Sequence, residues 1–181
     1  MIVTADDFKV TPYIIPNQED DTDLQQYIDK REAHYLKSIL GNVLYIEFLS
    51  GLEASPPIEQ RWLDLKFGTN SDEGSDGEYD SAKYEWLGLV DLLVPAIWQD
   101  WVRDNYDIYT NSGMVRATAQ NNSEVVNPDH DMVKAWNDFV RKLQGWPITK
   151  RDTLYGFMKD RDDYTGWVFN CRYRYKNVYD I

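Results

Sequence analysis

Between Tyr84 and Tyr109 apolar residues recur at spacings of three and four, while much of the chain around them is polar. Trp86, Leu87, Val90, Leu93, Val94, Ile97, Trp98, Trp101 and Val102 keep the helical period, and Leu89 and Leu92 widen the stripe over most of the circumference. A helix of that kind has to be surrounded. The pattern therefore predicts a mainly α fold, a helical bundle around a central aromatic-rich helix. A membrane span needs about 20 mostly apolar residues, and here Asp91, Gln99 and Asp100 interrupt the run. Pro95 lacks an N–H and crowds the carbonyl four residues back, which predicts a kink or a break.

The same period marks the neighbouring elements. Residues 1–20, punctuated by Pro12 and Pro16, read as an extended lead-in, with Glu19, Asp20 and Asp21 running into a helix start. Asp21 or Thr22 then caps a helix with Leu24, Tyr27, Ile28, Tyr35, Leu36, Ile39 and Leu40 on its apolar side, stopped by Gly41. A second helix carries Val43, Leu44, Phe48 and Leu49 to Gly51, and a third, entered through Pro56 and Pro57, carries Ile58, Trp62, Leu63 and Leu65 to Gly68. Met132, Val133, Trp136, Phe139, Val140 and Leu143 share one face of a later helix that begins at Asn127-Pro128 and ends at Gly145. A short helix is expected near Thr153 to Arg161. At the C-terminus Trp167, Phe169, Cys171, Tyr173 and Tyr175 alternate with Val168, Asn170, Arg172, Arg174 and Lys176, a period of two that predicts a β-strand tail with an aromatic and a basic face.

Two segments lack periodicity. Residues 69–82 are rich in Asp, Glu, Ser and Gly and read as an acidic loop, and residues 112–128 are β-branched and polar, which predicts an extended arm or hairpin. The expected organisation is a helical domain over 1–145 and a tail over 146–181 holding a short helix and a strand.

Charge adds an asymmetry to this outline. The 181 residues carry 19 basic and 31 acidic side chains, a net charge of −12, which argues against a general grip on nucleic acid. Residues 1–140 hold 10 basic and 26 acidic side chains, a sum of −16, whereas residues 141–181 hold 9 and 5, a sum of +4. Either the tail folds back on its own acidic body, or unlike faces on different copies meet head to tail and close into a ring. The lone Cys171 cannot form an intramolecular disulfide, which fits a reducing compartment, and the opening MIVTADDFKV has no basic region followed by an apolar run that would predict a secretory signal.

Candidate chemistry is sparse. His34 sits among Arg31, Glu32 and Lys37 on a helix, with no second histidine or cysteine at ligand spacing. His130 lies between Asp129 and Asp131 at a helix start, where carboxylates favour the positive end. A calcium loop starting at Asp72 would find Asp76, Gly77 and Asp80 at suitable positions, but Gly74 and Lys83 occupy the third and twelfth, where a carboxylate and a bidentate glutamate belong. Neither phosphate-cradling glycine pattern occurs. No catalytic residue, metal or cofactor is expected, and the chain is not read as an enzyme.

Several phrases resemble the head-to-tail connector, or neck adaptor, proteins of tailed bacteriophages, particularly those infecting gut Bacteroidetes. They are YLKSILGNVLYIEFLSGL (Tyr35 to Leu52), IEQRWLDLKFG (Ile58 to Gly68), IWQDWVRDN (Ile97 to Asn105) and the arm and helix from Thr110 to Val140. The resemblance implies a structural virion protein in the neck, made in the host cytoplasm. It implies a ring, twelve-fold by resemblance, between portal protein and tail or further neck proteins, with a channel through which DNA passes unbound. Asp72, Glu73, Asp76, Glu78 and Asp80 are then candidates to line that channel, where carboxylates repel phosphate. Met114, Val115 and Arg116 of the arm, and Trp167, Phe169, Arg172, Tyr173, Arg174 and Lys176 of the tail, are candidates for contacts between subunits. A tail-completion protein or an acidic DNA-mimic inhibitor are the alternatives.

Overall fold

A computed structural model describes residues 1–10, 12–15, 21–54, 58–68, 86–110, 113–116, 129–145, 153–159, 161–164, 166–169 and 173–177, with backbone alone at 21, 106–110 and 113–116. The protein is mainly helical. Its elements are α1 (Asp21–Leu40), α2 (Asn42–Glu53), α3 (Gln60–Phe67), α4 (Gly88–Tyr106), β1 (Asp107–Thr110), β2 (Gly113–Arg116), α5 (Asp129–Gln144) and α6 (Leu154–Met158), with 3₁₀ turns at Ala5–Phe8 and Asp162–Tyr164. Helix α4 packs against α1, α3, α5 and the first 3₁₀ turn. Among the described residues no helix is long and apolar enough to cross a membrane.

The buried face of α4 is Leu89, Leu92, Leu93, Ala96 and Ile97, with Trp86 just before it stacked on Phe157 of α6 at 5.6 Å between ring centroids. Leu87 falls outside that face and is exposed. Trp98 and Trp101 are only partly buried, because each indole closes the edge of the core: Trp98 donates to the Ile14 carbonyl at 3.1 Å, and Trp101 meets the Tyr27 ring edge-on at 4.9 Å. Pro95 neither ends nor splits the helix, which is continuous from Gly88 to Tyr106.

Three glycines explain how the short helices fit together. Gly41 and Gly145 take left-handed backbone angles, φ +77° and +72°, after α1 and α5, as expected of helix stops. Gly51 does not end a helix. It lies inside α2, and a Cβ there would stand 2.1 Å from the Trp62 indole nitrogen, so the glycine gives α3 its close approach.

The N-terminal segment is core and not a lead-in. Ile2, Val3 and Phe8 are buried, and the Glu32 carboxylate accepts from the Ile2 amide at 3.1 Å and the Val3 amide at 2.8 Å. Glu32 is itself only 4% exposed and occupies the row Leu24, Ile28, Glu32, Leu36 on the core side of α1. Burial pushes its carboxyl above the ordinary range, opposed by the bonds from Val3 and Ile2. Glu32→Gln leaves one oxygen to accept and turns an NH2 group towards amide donors, so a loss of about 2–3 kcal/mol is expected in urea unfolding. Parental stability of that variant would show the clamp to be dispensable.

The C-terminal segment differs from the expected strand. Residues 167–169 and 173–177 belong to no sheet among the described residues, and the sheet described is the antiparallel pair β1–β2, registered Ile108 to Val115 and Tyr109 to Met114. The tail lies along α5, where side chains supply the partners that a second strand would have given. Gln144 donates to the Tyr173 carbonyl at 3.3 Å, Trp136 to the Arg174 carbonyl at 2.8 Å, and Asn137 brackets Lys176, donating to its carbonyl at 2.9 Å and accepting from its amide at 2.8 Å. Leu154, Phe157, Met158 and Tyr164 join the same core as α1 and α4, so no boundary in packing falls at residue 145.

Candidate functional site

The residues nominated from sequence separate into three groups. Asp72, Glu73, Asp76, Glu78, Asp80 and Arg172 lie outside the described residues, as do Cys171, residues 117–128 of the arm and the Asn127-Pro128 cap. Met114, Val115 and Arg116 form β2 opposite Tyr109, Ile108 and Asp107. The tail aromatics sit on their own chain: Tyr173 packs against Tyr35, Trp136 and Phe139, and its hydroxyl donates to Ser38 at 3.0 Å. Trp167 donates to the Ile39 carbonyl at 3.1 Å, and Phe169 packs on Tyr155 and Trp167. Of the basic set, Lys176 lies over the Trp136 ring at 4.7 Å, while Arg174 is exposed. The tail folding back on its own body is therefore the arrangement seen for the aromatic positions.

His34 and His130 are exposed, and among the described residues no group of three or more His, Cys, Asp or Glu side chains could hold a metal ion.

Two polar arrangements were not anticipated. The first joins α1 to α4. Tyr27, Arg31 and Tyr35, spaced by four on α1, face Asp100, Arg103 and Asp104 on α4. Tyr35 donates to Asp100 at 2.9 Å, Tyr27 donates to Asp104 at 2.8 Å, Arg31 pairs with Asp104, and Arg103 pairs with Asp100 at 2.8 Å. Two guanidiniums and two carboxylates balance, so the cluster acts as an interhelical latch rather than an attractor of charged ligands. Spacing by four on both helices was the available signal, but only the fold shows that the two rows meet.

The second surrounds a cleft of about 530 Å³ between the first 3₁₀ turn, the end of α3, the start of α4 and α5. Lys142 reaches into it, pairing with Asp91 at 2.7 Å and Asp138 at 3.1 Å, and Tyr13 donates to Asp138 at 2.9 Å. Burial works to raise the Asp138 carboxyl, but the Arg141 and Lys142 cations and the Tyr13 hydroxyl hold it below the ordinary 3.8. Asp104 is held below 3.8 in the same way, against desolvation, by bonds from Tyr27, Arg31 and Arg103.

These two depressed carboxyls contribute stability that is present above the unfolded value of about 3.8 and lost as pH falls through their lower folded values. Glu32 has the opposite sign, since a raised folded value makes protonation relieve a cost. Melting temperature should thus hold down to about pH 4 and fall below it. Asp138→Asn should flatten that acid limb, and an unchanged limb in this variant would remove Asp138 as a contributor.

Comparison with protein-family models, curated proteins and solved structures finds no match for this chain.

Proposed function

We propose that this chain is a structural protein of a phage neck, one subunit of a ring that joins the portal to the tail and leaves a channel for DNA. The observation that carries the reading is the set of neck-protein phrases in α1 to α5, and the division of charge, −16 over residues 1–140 against +4 over residues 141–181, agrees with it in that Arg174 stays exposed on the folded-back tail. Unlike faces on one subunit suit a repeating contact around an axis. The candidate channel surface is the carboxylate-rich run from Asp72 to Asp80, which would let a polyanion slide without binding.

Electron microscopy of the purified protein, alone and mixed with portal protein, tests this directly. Rings seated on the portal are the expected result. A species that sediments as a monomer or dimer with and without portal, and that captures a DNA-binding protein, would replace the connector with the DNA-mimic reading. Binding to tail-tube subunits in place of portal would favour tail completion.

The loop has its own expected outcome. Gly68 and Trp86 are already in contact, since a Cβ on Gly68 would stand 2.1 Å from the Trp86 carbonyl oxygen, so shortening the chain between them does not require these two ends to move. Deleting residues 72–80 should leave the melting temperature close to that of the parent, with any defect confined to assembled particles. A large drop on deletion would mean that the loop is part of the core.

A further inference from the structure

Helix α2 carries two apolar faces. Leu44 and Phe48 are buried, and Gly51 follows them on that side against Trp62. A second row, Val43, Ile46, Leu49 and Leu52, repeats every three residues around the outer side, where Val43 is 72% exposed and Ile46 53%. Leu49 and Leu52 then line a groove of about 280 Å³ between α2 and α3, together with Ile58, Leu63 and the exposed Phe67. A helix that is apolar nearly all round is one that is covered on both sides, and an apolar row leading into a concavity marks an interaction surface.

The charges at the groove indicate what covers it. Glu53 and Lys66 both line it. Among the described residues neither forms an ion pair, and Lys66 lies over the Phe67 ring at 4.6 Å. The other charges of α3 are used within the chain: Arg61 pairs with Glu59 at 2.6 Å, and Asp64 accepts from Gln60 at 2.7 Å. Glu47 follows Val43 by one turn, on the flank away from Leu49 and Leu52. One anion and one cation beside a single apolar groove give no preference to an acidic or a basic partner, to nucleic acid or to anionic lipid. They do match a second copy across a two-fold axis, because such a contact sets residue i against j and j against i, so Glu53 of each copy can meet Lys66 of the other. Copies of net charge −12 repel one another elsewhere, which leaves a groove whose charges cancel as the place where two can touch.

We propose that the α2–α3 groove is a two-fold contact between copies of this chain, each copy laying Val43 and Ile46 on the groove of the other, with Glu53 and Lys66 paired across it. This contact is distinct from the head-to-tail contact of a ring and does not depend on it.

Sedimentation of the full chain at concentrations up to about 100 μM tests the proposal. The parent should dimerise reversibly, and Val43→Ser combined with Ile46→Ser should raise the dissociation constant at least about tenfold. Both side chains are exposed, so this variant should fold, and its melting curve checks that it does. Glu53→Lys and Lys66→Glu should each weaken pairing at least about tenfold, since each sets like charges against one another on both sides of the axis. Mixing these two proteins should restore dimers, because one groove then carries only cations and the other only anions. A parent that stays monomeric, self-association that the serine variant leaves unchanged, or charge variants that pair no better mixed than alone overturns the proposal. Rings that form while two-fold pairing is absent overturn it as well and leave the neck reading standing, whereas two-fold dimers without rings support it and count against the neck reading alone.

Discussion

Gly88→Ala and Gly68→Ala should each destabilise the protein by about 3 kcal/mol or more, among the largest effects of any single methyl group in the molecule. The chain crosses itself at these two residues. A Cβ on Gly88 would stand 2.5 Å from the Lys66 carbonyl oxygen and 2.6 Å from the Phe67 carbonyl carbon, and one on Gly68 would meet the Trp86 carbonyl oxygen. The obstructing atoms are backbone, which cannot swing aside as a flexible side chain would. Both residues also hold positive φ, +94° at Gly88 and +91° at Gly68, so an L side chain adds strain on top of the clash. The crossing lets α3 lie beside α4 and sets Trp86, which donates to the Leu65 carbonyl at 3.3 Å, into the core. Urea unfolding of the two alanine variants checks the expectation, and parental midpoints for both would show that the crossing is not tight.

The helices were legible in the sequence because each buries one stripe, and a stripe at period 3.6 with a glycine stop leaves a pattern in the sequence. That holds for α1 with Gly41, α3 with Gly68 and α5 with Gly145. The N-terminal segment was not legible, since Ile2, Val3 and Phe8 are too few and too irregularly spaced to show a period. Its anchor was visible as an anomaly: Glu32 stands in an apolar row, between Ile28 and Leu36, where a charge is costly unless something donates to it. Gly51 and Gly41 look alike in sequence, and only the nearby Trp62 indole shows that one is a spacer and the other a stop.

The tail shows a different limit. Alternation reports that one side is apolar and the other wet, and both a strand and a segment laid along a helix satisfy it. What distinguishes them is where the backbone bonds go. Here they go to the side chains of Trp136, Asn137 and Gln144, residues about 30 to 40 positions earlier that no period connects to the tail. The cleft was hidden for a similar reason, because Val10, Phe67 and Leu87 come from three separate segments.

Ending the chain after Tyr164 should therefore cost about 4 kcal/mol or more, and not spare the helical body as a detachable assembly strand would. Truncation removes Trp167, Phe169 and Tyr173 from the core margin and exposes the rings of Tyr35, Trp136 and Phe139 that Tyr173 covers. It also strips Trp136 and Asn137 of their partners in the tail. Tyr173→Ala should carry much of the effect, about 3 kcal/mol, since one ring touches three others and its hydroxyl reaches Ser38. Arg174→Ala, at an exposed position, should change stability by less than about 0.5 kcal/mol. Because the truncated body would be destabilised, its failure to enter particles would say nothing about docking, whereas Arg174→Glu could probe assembly without disturbing the core. A truncated protein that unfolds at the parental urea midpoint would contradict cis packing and restore the tail as an arm for a neighbour.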